Sequence, residues 1–360
     1  MPALRQVIDK ERNFPKIPVG ILGATGSVGQ KFVELLQEHP WFEIVAVAAS
    51  ERSEGKCYRE AVNWFQKTAL PANIGKMRIT ACKPGLPCRI VFSGLDAGVA
   101  GPIERSFADA GYIVVSNARN HRMQDDVPLL IPEVNPEHLA LMEKQKSPGK
   151  IVTNPNCSTI GLAMALKPLQ DAFGIEQVSV VTLQALSGAG YPGISSLDII
   201  DNVIPYIAGE EEKIQIETLK ILGSYNGEKV DFAEFNVSAQ CNRVAVIDGH
   251  TEAVAVKLKH HARKQDLIAA WREFRSEPRE LGLPSAPEQP LRYFEEATYP
   301  QPKLHRDFGG GMTVSIGGLR DCSVLDYKFT VLSHNTIRGA AGCAILNAEL
   351  LVKKGYLNVQ

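Results

Sequence analysis

The chain has 360 residues, 44% hydrophobic and 22% charged, an ordinary globular balance with enough length for two cores. Thirty-nine basic against forty acidic side chains give a formal net charge of -1, which offers no grip on nucleic acid or on an anionic membrane surface. No apolar run approaches bilayer length, and residues 1–16 mix Asp9, Lys10, Glu11 and Arg12, so neither a secretory signal nor a transit peptide is expected.

Seven cysteines are scattered over the length with no Cys-x-x-Cys or His-x-x-x-His spacing. They point to a reduced, cytoplasmic-type protein with no disulfide framework and no metal site. In chain order, an apolar run at residues 17–22 meets GATGSVG at 23–29. Residues 30–39 then place Phe32, Val33, Leu35 and Leu36 on helical spacing, and 42–49 is a second β-branched run. This reads as a βαβ unit. Strand signals recur at 89–92, 112–115 and 151–153, with a crossover helix expected over 101–110. Residues 1–155 are therefore expected to form a doubly wound parallel sheet.

Beyond it the pattern changes. Strands of a second sheet are expected at 178–184, 233–237, 244–247, 253–257, 313–316 and 324–332, and helices at 158–173, 195–207 and 265–274. Residues 283–306, rich in proline, read as irregular, and 336–353 as an amphipathic helix stopping before Gly355. The division expected is 1–155, completed by 336–360, and 156–335.

Helix N-termini carry unpaired N–H groups that hold phosphates, and glycines let the backbone come close. Gly23, Gly26 and Gly29 would do this, with Thr25, Ser27 and Val28 as further contacts, although the spacing is not the commonest G-x-G-x-x-G and a plain turn stays open. At the end of the second strand, Arg52 with Ser50 and Ser53 suits the 2′-phosphate of NADP, whereas Glu51 suits NAD; NADP is the reading taken. Cys157, in NPNCST at 154–159, lies between a strand and a helix. A thiol there is expected to ionise more readily, and the amides that follow can stabilise an oxyanion. A buried core cysteine is the plain alternative.

The pairing of GATGSVGQ (23–30) with NPNCST resembles the aspartate-semialdehyde dehydrogenase family. SGAGYPG (187–193), GEEEKI (209–214) and NRVAVIDGHTE (242–252) match in the same order, closest to its archaeal and fungal branch. The resemblance implies a Rossmann-type domain plus an α+β catalytic and dimerisation domain of the glyceraldehyde-3-phosphate-dehydrogenase-like kind, in a homodimer or homotetramer. It implies NADPH-driven reduction of aspartyl phosphate through a thioester, with phosphate released, on the route to threonine, methionine, isoleucine and, where the diaminopimelate route exists, lysine. It makes Cys157 the nucleophile, His250 the general acid/base and Gln184 a residue that orients the intermediate. Arg243 would grip the substrate carboxylate, Glu210 its amino group, and Lys213 and Arg119 phosphate, with Asn156 beside them. Ser93, Gly94, Ser187 and Gly188 become further cofactor contacts, and Asn335 touches the nicotinamide amide.

Plainer readings stand beside these. Glu210 and Lys213 suit a solvated helix pair, and Asn335 suits a helix cap. His250, in a turn after Asp248 and Gly249, is expected to expose its ring. Arg243 and His250, seven residues apart, would face opposite sides of one strand, so the turn between them has to redirect the chain. Gly318 stands where the family commonly has a basic residue. N-acetyl-glutamyl-phosphate reductase should lack GEEEKI. A malonyl-CoA or succinyl-CoA reductase would differ mainly in the group displaced, and a non-catalytic NADP-binding protein should have lost reactive residues that are all present here.

Overall fold

The computed structural model describes residues 15–357; the expectation for the first fourteen residues, and the last three residues of the segment expected to complete the first domain, lie outside them. Strands β1 (Ile17–Leu22), β2 (Phe42–Ala49), β3 (Thr80–Ala81), β4 (Ile90–Ser93), β5 (Ile113–Ser116) and β6 (Lys150–Thr153) form one sheet. Their order is β3-β2-β1-β4-β5-β6, and every neighbouring pair is parallel. Helices α1 (Ser27–Leu36) and α2 (Ala97–Asp109) are crossovers. Alternate residues fill opposite faces: Val19, Ile21, Phe92 and Val115 pack in one core with Phe32 of α1, while Leu22, Val91 and Val114 pack in another with Phe107 of α2. Both faces are covered, which is why these strands read as unbroken apolar runs. The order reverses between β1 and β4, and ligands of such sheets bind beyond the carboxyl ends at that point.

The second sheet is mixed. It uses β7 (Ile175–Gln184) and β8 (Val203–Pro205), then, after a small hairpin of β9 (Ser224–Tyr225) and β10 (Val230–Asp231), β11 (Asn236–Val244), β12 (His250–Leu258), β13 (Leu291–Phe294), β14 (Val314–Asp321) and β15 (Tyr327–Ser333). The order is β13-β14-β15-β12-β7-β11-β8. Helix α3 (Cys157–Phe173) packs on one face, with Ile160, Met164 and Leu166 against Val180, Val254 and Val331. Helices α4 (Glu210–Ile221) and α5 (Lys264–Glu273) flank it, and α6 (Gly342–Lys353) follows the last strand. This is the two-sheet α/β architecture expected, and among the described residues no helix is long and apolar enough to cross a membrane.

Several elements differ from expectation. The strands expected at 233–237 and 244–247 are replaced by β11 between them. Its alternation of exposed Ser238 and Gln240 with buried Ala239 and Cys241 uses small and polar residues that a search for apolar runs passes over. The helix expected at 195–207 shrinks to one turn, Ser196–Ile199, followed by β8 on the sheet edge. The stretch at 283–306 contains β13, paired with β14. The C-terminal helix is not amphipathic. It opens with a π-helical turn at Ile337–Ala341, and α6 is buried nearly all round because its Ile345, Leu346 and Leu350 return to the first core.

Candidate active site

The turn after β1 needs its glycines. Gly23 has φ +74°, and a Cβ there would lie 2.8 Å from the Gly94 carbonyl oxygen; one on Gly29 would lie 2.2 Å from that of Gly23. Gly26 caps α1 without a side chain, so the first-turn amides are free to meet an anion. From this turn a cleft of about 1160 Å³ runs past Ser50, Glu51 and Arg52, Gly94, and Ser187 to Tyr191, and ends at Asn156 and Cys157. The donors and the close backbone approach fit a dinucleotide phosphate, and Arg52 lies at the end of β2 where a ribose phosphate would fall.

At the far end, Asn156 caps α3: its Oδ1 accepts from the Ser158 and Thr159 amides at 3.0 and 3.3 Å. This places half-buried Cys157 at the first turn, with Sγ 3.1 Å from His250 Nε2. His250 is not exposed in a turn, as expected, but opens β12 and is wholly buried, because its strand pairs with β7 and β15 on both sides. The Ala185 amide donates to His250 Nδ1 at 3.0 Å, so the neutral ring carries its proton on Nε2, facing the sulfur. Burial, then the charges of Arg243 and His334, push the imidazole down to about 3. Burial and the Glu210 carboxylate push the Cys157 thiol up to about 12, against relief from Arg243, Arg122 and the Ser158 amide. The readily ionised thiol expected at a helix end is thus corrected: in this structure both members of the pair are neutral, because desolvation outweighs the helix end.

Arg243 and His250 do converge. They sit on β11 and β12 with β7 between, and the chain turns back through Gly249 at φ +101°. A Cβ on Gly188 would come within 2.8 Å of Arg243 Nη1 and 3.1 Å of the His250 ring, so that glycine roofs the pair. Arg243 Nη1 donates to the Ala185 carbonyl at 2.7 Å. Glu210 gathers three donors: Lys213, Asn156 Nδ2 at 2.8 Å and Gln184 Nε2 at 3.5 Å. Burial pushes the Glu210 carboxyl up, but those partners hold it below the usual range.

Of the residues expected at the cofactor and substrate sites, Gly23, Thr25, Gly26, Ser27, Val28, Ser50, Arg52, Gly94, Asn156, Cys157, Ser187, Gly188, Glu210 and Asn335 line the cleft. Gln184, Lys213, Arg243 and His250 stand just behind it, through the contacts above. Ser53 is set back from the cleft, its amide bonded to the Ser50 carbonyl in the loop after β2. Ser93 is fully buried, since β4 turns its side chain inward and leaves Gly94 to face the cleft. Arg119 is exposed near Gly209, outside the cleft lining. Arg122, three residues on, lines the cleft instead. Asn335 caps no helix: its Oδ1 accepts from the Gly249 amide at 2.8 Å and its Nδ2 donates to Ser187 Oγ at 2.7 Å. Gly318, at φ +62°, lies in a bulge of β14 that the cleft does not reach.

Sequence reasoning missed a buried pair beneath the nucleophile. Arg122 Nη1 donates to Glu217 Oε1 at 2.8 Å, and Glu217 Oε2 accepts from the Asn156 amide at 2.7 Å. Glu217 lies two turns after Glu210 on α4, so its spacing carried the signal. Gly339 was missed too: a Cβ there would lie 2.7 Å from that of Cys157.

A thiol facing an imidazole at one end of a cleft, with a dinucleotide turn at the other, defines a class: dehydrogenases that hold the reacting carbonyl carbon on an enzyme sulfur. Residues 18–142 match the family model described as semialdehyde dehydrogenase, NAD binding domain, and 166–338 the one described as semialdehyde dehydrogenase, dimerisation domain. The chain belongs to the aspartate-semialdehyde dehydrogenase family. It is 50% identical to the aspartate-semialdehyde dehydrogenase of Archaeoglobus fulgidus over 93% of this chain and 98% of that protein, and 50% identical to that of Schizosaccharomyces pombe over 94% and 99%. Among solved structures, aspartate-semialdehyde dehydrogenase with NADP from Candida albicans superposes with a TM-score of 0.88 at 46% identity, covering 95% of this chain and all of that one. The second aspartate-semialdehyde dehydrogenase of Vibrio cholerae does so at 0.75 and 30%, covering 95% and 100%.

Proposed function

We infer that the protein reduces 4-aspartyl phosphate to aspartate 4-semialdehyde, releasing phosphate, with NADPH as reductant and a thioester on Cys157 as intermediate. The observation that carries this is the Cys157–His250 pair at 3.1 Å, opening onto the same cleft as the glycine turn. The free amides of α1 with Gly23, Thr25, Gly26, Ser27 and Val28 would hold the pyrophosphate, and Ser50 and Arg52 the 2′-phosphate. Bound there, NADPH supplies the hydride.

The sulfur attacks the acyl carbon, an S–C bond forms, and phosphate leaves with the electrons of the broken C–O bond. The thiol proton has to leave first. Arg243 favours that, and Glu210 opposes it. A substrate ammonium group against Glu210 cancels the opposing charge, so substrate binding itself promotes the thiolate, while the carboxylate takes the remaining N–H groups of Arg243. His250 takes the thiol proton on Nε2 once its ring has moved its own proton to Nδ1 and released the Ala185 amide, and the Nε2–H so formed then faces the oxyanion beside the sulfur. Gln184 fixes Glu210 from behind, and Lys213 with the exposed Arg119 supplies positive charge for phosphate at the rim, while the buried Arg122 adds its charge from the cleft wall. The chain assembles as a homo-oligomer through its dimerisation segment, and a dimer or a dimer of dimers is the form proposed.

Run in reverse, the purified protein with aspartate semialdehyde, phosphate and NADP should raise NADPH absorbance, and Cys157→Ala should abolish the signal. Turnover in that variant defeats the mechanism. Reduction of malonyl-CoA with no activity on the semialdehyde moves the assignment to a reductase of coenzyme A thioesters.

A further inference from the structure

Two exposed aromatic rings meet across the mouth of the cleft. Phe65, 44% exposed, comes from the long connection between β2 and β3; Tyr191, 59% exposed, comes from the loop after β7. Their rings stack with centroids 5.0 Å apart and planes at 17°, and Asn63 Nδ2 donates to the Tyr191 hydroxyl at 2.5 Å. Neither ring belongs to a core, so folding does not require them to meet.

What they join is informative. The Phe65 side is fastened to the glycine turn by Gln30, which is only 1% exposed: its Nε2 donates to the Thr25 and Asn63 carbonyls, both at 3.0 Å, and its Oε1 accepts from the Phe65 amide at 3.2 Å. The Tyr191 side is the far end of the loop whose Gly188 lies against Arg243 and His250. Asn335 on Ser187 and the Val246 carbonyl on the Leu186 amide, both at 2.7 Å, hold that loop at its base. The stack is therefore the latch of a strap that leaves the second sheet, crosses the cleft and fastens to the phosphate turn. Tyr191 itself lines the cleft.

Resting on the NADPH reading above, we propose that the Phe65–Tyr191 stack is a cofactor clasp: it holds residues 187–191 closed over bound NADPH and so positions the cofactor and limits its escape. A dinucleotide reaching from Gly26 to Cys157 passes under this strap and leaves only when the rings part. An aromatic pair of this geometry is worth roughly 3- to 10-fold in an equilibrium or rate.

The test measures NADPH release by stopped-flow fluorescence, NADPH affinity by titration, and melting of the ligand-free protein. It compares the unaltered chain with Phe65→Ala, Tyr191→Ala and Phe65→Trp. Phe65→Ala and Tyr191→Ala should each release NADPH about 3- to 10-fold faster and bind it correspondingly more weakly, with ligand-free melting unchanged. Phe65→Trp, which keeps a flat ring, should restore slow release. Unaltered release in both alanine variants overturns the clasp, as does a loss in Phe65→Trp equal to that in Phe65→Ala, or lowered melting with release unchanged. Failure of the unaltered chain to bind NADPH would remove the cofactor reading, and the clasp with it.

Discussion

The sulfur of Cys157 sits where helix amides favour a thiolate, yet its surroundings oppose one. A helix end is worth about 1 kcal/mol, under one pKa unit, whereas desolvation can move a group by up to roughly 3–5 units. Desolvation therefore wins in the ligand-free site, and Glu210 adds to it. Alkylation of Cys157 by iodoacetamide, followed on its own peptide, should accelerate about tenfold per pH unit between about pH 7 and 9. A plateau already reached at neutral pH would mean a standing thiolate and would contradict this account. Glu252 is the second residue whose setting decides its state. It follows His250 by two on β12, faces α3, and lies 1% exposed, with burial raising its carboxyl well above the ordinary value. The folded protein therefore holds that proton to higher pH than the unfolded chain does, which costs stability above the unfolded value. Glu252→Gln should therefore resist urea better than the unaltered protein at about pH 7.5, and the advantage should vanish below about pH 4, where the carboxyl is protonated in both states. An advantage that persists unchanged in acid would point to packing as its source.

Helix α4 shows how one face of an element can serve two ends. Glu210 and Lys213 meet the cleft, Glu217 holds the Asn156 amide and Arg122, and Lys220 Nζ donates to the carbonyls of Arg122 and Gln124 at 2.7 and 2.8 Å. The first pair was legible only through a family resemblance. The spacing of Glu217 puts it on the face of Glu210, but only the fold shows it buried under the nucleophile and Lys220 buried beyond it. The π-helical turn before α6 was not legible at all, because a widened turn leaves no compositional mark. It carries Arg338, whose guanidinium meets Glu133 with two bonds of 2.6 and 2.7 Å, both side chains fully buried. Gly339 is thereby pressed onto Cys157. Gly339→Ala should leave the protein folded at a cost of about 1–3 kcal/mol and cut kcat roughly 100-fold, since the added methyl must displace the nucleophile. Near-native kcat in a stable Gly339→Ala protein would show that the turn does not set the position of the sulfur.

Across the whole molecule, the two sheets are tied by a chain that leaves the first core, builds the second, and returns through α6. Such tight burial traps titratable groups. His138 and His334 are pushed down to about 4 and His250 to about 3, in each case chiefly by burial. Their folded values lie below the unfolded one, so the stability they carry is present above about pH 6.5 and drains away as pH falls towards 4. His121 is pushed down as well, again chiefly by burial, so Glu104 and Glu252, raised chiefly by burial and acting in the opposite sense, are two against four. Thermal melting should therefore fall from about pH 7 to 5, with stability lost at about 1 kcal/mol per pH unit for each net proton taken up on unfolding. A flat or rising profile over that range would show that the buried imidazoles do not govern acid stability.

The sequence by itself determined the parallel first sheet, the glycine turn beneath it and the strand–turn–helix setting of Cys157, because each depends on neighbours within a few residues: unbroken apolar runs, positive φ at Gly23, an Asn cap on α3. Tertiary structure alone decided that Arg243 and His250 converge through an intervening strand, that Arg122 and not Arg119 lines the cleft, and that α6 is buried on every side. It also decided the protonation of the reacting pair. Periodicity reports which face of an element is apolar, whereas desolvation and the company of Glu210, Arg243 and the Ala185 amide depend on which faces meet.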